Sequence, residues 1–134
     1  MGRYTDAQQD IFSVFATNEW KSEGIATHPS LIVPDNPGQE YIRISVIPSS
    51  TGINTKSVAG MLLIDIFAAR VQGPRRPMEI ADALDKYLNA KSVQLSSGMT
   101  QFMSSSTGKP LEDREDPALS MTLYSIAFNY FGEN

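Results

Sequence analysis

Cysteine is absent from the 134 residues. That one gap removes disulfides, thiolate nucleophiles, iron–sulfur clusters and cysteine-ligated zinc. Histidine is nearly absent: His28 stands beside Pro29 in a loop-like stretch, with no second residue at metal-ligand spacing, and reads as a surface or capping side chain. No apolar run approaches the roughly 20 residues that cross a bilayer. The opening Met1-Gly-Arg-Tyr-Thr-Asp also lacks a charged region followed by an apolar core. No membrane partner is expected, and the protein should stay in the cytoplasm unless something carries it out. Met1-Gly2 makes no acylation signal, because Asp6 stands where a small hydroxyl residue is required.

Basic charge is in deficit. Eleven Lys plus Arg against 15 Asp plus Glu leave a net charge of −4, so the field of the whole molecule repels phosphate, and a free-standing nucleic-acid binder is disfavoured. Catalytic patterns are missing too, since no Ser or Thr has a base assignable beside it. Glu112, Asp113, Glu115 and Asp116 lack the alternating spacing and central glycine of a calcium loop and read as a solvated acidic segment. Gly73-Pro74-Arg75-Arg76 precedes a helix whose amides could bind an anion, but it lacks the Lys and Ser or Thr of a phosphate loop and reads first as a rigid basic turn from strand to helix. No enzyme activity, metal or cofactor is expected, and no residues stand out to line a ligand pocket.

What is present is ordinary globular material: 41% hydrophobic and 19% charged residues in a length suited to one domain, 1–134. Thr5 and Gln8 form a weak capping box for a helix over about 5–17, with Ile11, Phe12 and Phe15 at helical spacing and Trp20 as a core anchor just beyond. Prolines 29, 34 and 37 bracket Leu31-Ile32-Val33, which suits an edge strand or extended arm. Tyr41 to Ile47 alternates as a half-buried strand that Pro48 should end. The stretch from Ile53 to Ala69 is apolar on both faces around Met61–Phe67 and should be central or covered on both sides. Asp65 within it would be buried and needs a partner such as Arg43.

Pro77 suits the first position of an amphipathic helix over about 77–89, carried by Ile80, Ala81, Leu84, Tyr87 and Leu88. Short strands follow at 92–95 and 100–103, then a polar connection from Ser104 to Pro117 expected to be an exposed, mobile loop, then a long strand over 118–131. Thr122, Tyr124, Ile126, Phe128 and Tyr130 share the face that needs covering. The order predicts an α+β single domain: an antiparallel or mixed β-sheet with two helices packed on one face.

Three stretches together resemble a family. Asn18-Glu-Trp20 after a first helix, Tyr41-Ile-Arg-Ile-Ser-Val46, and Gly60-Met-Leu-Leu-Ile-Asp-Ile-Phe67 followed by Gly73 and Ala81-Asp82-Ala83-Leu84 are similar to the tail terminator, or tail completion, proteins of long-tailed, lambda-like phages. The resemblance spans about Ile11 to Leu88. It implies a virion protein of the head-proximal tail end, assembled in the host cytoplasm as a homo-oligomer, usually a hexameric ring. Such a ring caps the tail tube protein, stops its growth and offers a docking surface to a head–tail connector or stopper, while DNA passes through without specific binding. A neck or head-completion subunit of the same particles is the nearest alternative, and a small cytoplasmic ligand-binding domain the more distant one. For a ring subunit, the candidate partner contacts are the charged groups Arg70, Arg75, Arg76, Lys109, Glu112, Asp113, Arg114, Glu115 and Asp116.

Overall fold

The computed structural model describes residues 2–30, 39–50, 55–94, 98–109, 111–112 and 117–132. Helix α1 (Arg3–Phe15) turns Ala7, Ile11, Val14 and Phe15 inward at three- and four-residue steps. It starts two residues before the expected cap. Gly2 is the N-cap and makes no side-chain bond, so Thr5 lies inside the first turn. Thr17 caps the next helix instead, its hydroxyl accepting from the Trp20 amide at 3.2 Å to open α2 (Asn18–Lys21). Trp20 is buried edge-on to Phe15, with ring centroids 5.2 Å apart, and it anchors the core as expected.

The strands are β1 (Thr27–Pro29), β2 (Tyr41–Ser50), β3 (Val58–Ala69), β4 (Ser92–Val93), β5 (Met99–Thr107), β6 (Leu111–Glu112) and β7 (Leu119–Phe131). They form a seven-stranded sheet in the order β1-β2-β3-β7-β5-β4, with β6 also on β7. β1 runs parallel to β2 and the other pairs are antiparallel, so the sheet is mixed. Pro48 does not end β2. It pairs with Gly60 where the β1 partner has already stopped, and an edge position of this kind needs no amide from it. The arm over 31–38 lies outside the described residues.

β3 is central, as its apolar character requires, but among the described residues the helices cover only one of its faces. Cross-strand rows Ile44–Ile64–Tyr124 and Ile42–Ile66–Thr122 put fully buried side chains under α1 and under α3 (Arg75–Leu88), whose Ile80, Leu84 and Leu88 complete the core. Gly60 fits this wall because a Cβ there would strike the Ile47 carbonyl oxygen and the Phe128 ring. Helix α3 begins at Arg75, which places Pro77 in the third rather than the first position. Amides of the first turn have no intrahelical partner, so the proline costs no bond there.

The expected loop over 104–117 is corrected most. Ser104–Thr107 belong to β5, with Ser105, Ser106 and Thr107 opposite Ile126, Ser125 and Tyr124, and β6 continues beside Met121 and Ser120. Strand and return form one long hairpin. A register shift between Phe102 and Ser105 re-aims Ser105. Its amide then donates to Asn89 Oδ1 at 2.9 Å and its hydroxyl to Asp85 Oδ1 at 2.6 Å. Serine in this run defeats apolar periodicity without impairing backbone pairing.

Candidate functional site

The face of the sheet turned away from the helices has no layer over its middle among the described residues. Ser45–Leu63–Ser125 and Ile47–Met61–Ala127 run across it, and Leu63, Met61 and Ala127 remain half-buried while Ile47 is exposed at the β2 edge. Antiparallel sheets that face water usually alternate apolar with polar, and here the outward positions of these two rows are apolar or small. At one end of the face Tyr41 stacks on Phe67 with centroids 4.4 Å apart, and Leu119 and Met121 join them. Leu111, opposite Met121, extends that cluster to an exposed position on β6.

Between these apolar zones lies an ion pair. Arg43 reaches Asp65 at 3.4 Å, with side chains 25% and 23% exposed, so the expected partnership holds although Asp65 is half-buried rather than buried. The same guanidinium sits 5.1 Å from the centre of the Phe67 ring. The fully buried carboxylate among the described residues is Asp10 on α1, which accepts from the Thr100 hydroxyl at 2.9 Å. Sequence reading missed it because Asp10 falls in the apolar stripe of α1 and its partner is distant in the chain.

The candidate partner residues separate into groups. Arg70 opens the 3-10 turn Arg70–Gln72 after β3. Its amide donates to the Ala118 carbonyl at 2.8 Å and its Nη1 to Pro117 O at 3.0 Å, so the basic turn and the returning hairpin are held at one end of the sheet. Arg76 is committed inside the subunit: Nε and Nη2 reach the two Glu40 oxygens at 2.9 and 2.7 Å, and Glu79 lies 3.5 Å away. Hydrogen bonding to Glu40 raises its pKa above the ordinary arginine value. Arg75 is outward, with a 3.3 Å contact to Glu79. Lys109 is exposed just past β5, and Glu112 ends β6. Asp113, Arg114, Glu115 and Asp116 lie outside the described residues.

The structure also supplies a pocket that the sequence did not suggest. Phe12, Phe15, Ala16, Thr27, His28 and Pro29 line an open depression of about 420 Å³ between α1 and β1. Its polar equipment is slight. The Thr27 hydroxyl already accepts from Trp20 Nε1 at 2.9 Å and donates to the Ile25 carbonyl at 3.0 Å, which leaves His28 as the remaining polar side chain among the described residues of the lining. No group of three or more His, Cys, Asp or Glu placed to hold a metal occurs among the described residues.

No family model matches the chain, and no curated protein does. Solved structures do share its fold. One chain superposes with a TM-score of 0.69 at 14% identity, covering 98% of this chain and 94% of that one. Another, from the virion of a native gene transfer agent (GTA) particle, superposes with a TM-score of 0.61 at 12% identity, covering 96% of this chain and 97% of that one. At such identities the likeness is one of fold, and it extends over nearly the whole length of each chain.

Proposed function

We propose that this protein is a non-catalytic structural subunit of a phage-like particle, and within that class a ring-forming tail terminator. The observation that carries the reading is the end-to-end fold likeness to a chain of a GTA virion. An uncovered apolar sheet face, of the kind an assembling subunit buries against others, supports it. In this role a ring of copies caps the tail tube protein, ends its polymerisation and presents a surface to the head connector, with DNA passing through unread. The subunit forms in the host cytoplasm and resides at the head-proximal end of the tail. A neck or head-completion role fits the same likeness.

The test is deletion of the gene in the producing phage, followed by electron microscopy. A tail terminator predicts tails of uncontrolled length, whereas tails of normal length beside unattached full heads would point to the neck. Exchange of Asp113–Asp116 for a Gly-Ser linker probes the charged candidate contacts of that stretch. The subunit should fold and fail to join tails to heads, and infectious particles from the exchange would remove that segment from the interface.

A further inference from the structure

We infer that the β1–β2 edge of the sheet is closed to strand addition by two prolines, Pro29 and Pro48, so that this subunit does not join other chains by extending its sheet there. The guard is a property of the edge and holds whichever particle the subunit serves.

Backbone bonds set which residues turn their amides outward in the plane of the sheet. The Ile42 amide donates to Ala26 O at 2.8 Å and the Ser30 amide to Ile44 O at 2.7 Å, so Ile42 and Ile44 bond toward β1 while Ala26, His28 and Ser30 bond toward β2. Thr27 and Pro29 therefore turn to the free side of β1. Beyond Ile44 the β1 partner has ended, and among the described residues no strand pairs with that side of β2. Alternation along β2 turns Val46 and Pro48 to this free side, whereas Ile47 turns to β3 opposite Met61. Both prolines are exposed, and neither has an amide to give. An added strand needs a donor at every second residue, yet this edge supplies Thr27 without Pro29 and Val46 without Pro48. No two successive outward positions donate.

The guard answers a hazard that β2 itself creates. Tyr41–Ile47 is rich in β-branched residues, and its one charge, Arg43, is held against Asp65 at 3.4 Å. Such a segment on an exposed edge is a template for pairing with its own copies. Interior ladders need the amide that proline lacks, and both prolines of the described strands fall at outward positions. On the opposite side of the sheet the edge strand β4 has only two residues, which blunts that edge by length instead.

Pro29→Val and Pro48→Val, singly and together on the full chain, test this, with Pro74→Ala before α3 as the control. Valine suits an extended backbone, so thermal midpoints should stay within a few degrees of the parent. Each restored amide should tighten edge pairing roughly 2- to 10-fold. At a concentration where the parent gives one discrete mass by light scattering, the double variant should grow into open-ended species while the control matches the parent. The Val46 amide should then pass from rapid to slow hydrogen exchange, read by magnetic resonance, as the double variant is concentrated. A double variant of parental mass with a fast Val46 amide overturns the guard, and so does a control that grows equally. A Val46 amide already slow in the parent means an occupied edge and overturns it as well. If the double variant does not fold, the single variants carry the same test with one amide restored in each.

Discussion

The Tyr124 hydroxyl donates to Asp85 Oδ1 at 2.6 Å, which fastens the middle of β7 to the outer half of α3. Burial, and next the bond to Asp85, hold the Tyr124 phenol well above its ordinary pKa. The folded state therefore keeps a proton that the unfolded chain releases near pH 10, and this contribution, complete below that pH, is lost as pH rises beyond it. Tyr124→Phe should flatten the alkaline decline of the urea midpoint and cost about 1–2 kcal/mol at neutral pH by removing one bond to a charged acceptor. An unchanged alkaline slope would assign the decline to other groups.

Thr122 faces the core in the row with Ile42 and Ile66, and its hydroxyl has no hydrogen-bond partner. Thr122→Val keeps the branched shape and deletes an unsatisfied polar atom, so it should raise stability by about 1 kcal/mol. Chemical denaturation measures the gain, and a loss of stability would mean that the hydroxyl is satisfied in solution.

Arg76 and Arg75 are adjacent but should differ in consequence. Arg76→Ala breaks a two-pronged bond to Glu40 at half-buried positions and should cost about 1–2 kcal/mol. Arg76→Lys should recover only part of that, because an ammonium cannot span both oxygens. Arg75→Ala, at an exposed contact with Glu79, should leave the denaturation curve unmoved. A double-mutant cycle over Arg76 and Glu40 measures the coupling, and a value near zero would place both residues among decorative surface pairs.

Leu84 is fully buried between α3 and the sheet. Leu84→Asp places an unpaired carboxylate there and should unfold the subunit, at a cost of several kcal/mol. Far-ultraviolet dichroism decides the matter. A folded variant that merely fails to assemble would show that α3 faces a neighbour.

What the sequence disclosed follows from where periodicity governs. Tyr41–Ile47, the run through Phe67 and the residues Thr122 to Tyr130 alternate, so their strands and the buried face of β7 were readable, as was the stripe of α3. The Asp65–Arg43 pairing was readable because two opposite charges fall in neighbouring strands at facing registers. Ser104–Thr107 misled because their strand is held by backbone bonds to β7, which leave no mark on side-chain polarity. Among the candidate contacts, Arg76 proved committed to Glu40, a partner at the same end of the β2–β3 pair but far back in the chain, which no local spacing announces. The open face depended on knowing which side the helices take.

The placement of β7 between β3 and β5 bears on biosynthesis. β3 leaves the ribosome before α3, β4 and β5, yet its longer pairing partner is made only after all of them. Until then the nascent chain holds a β2–β3 hairpin whose inner edge is unpaired and whose apolar side chains lack their cover, a state prone to pairing with the same segment of another polysome product. Rapid synthesis through the polar Ser104–Asp116 stretch would shorten that interval, and a chaperone bound to the β3 edge would shield the chain during it. Yields of assembled protein should therefore respond to codon choice downstream of β3 more than upstream of it.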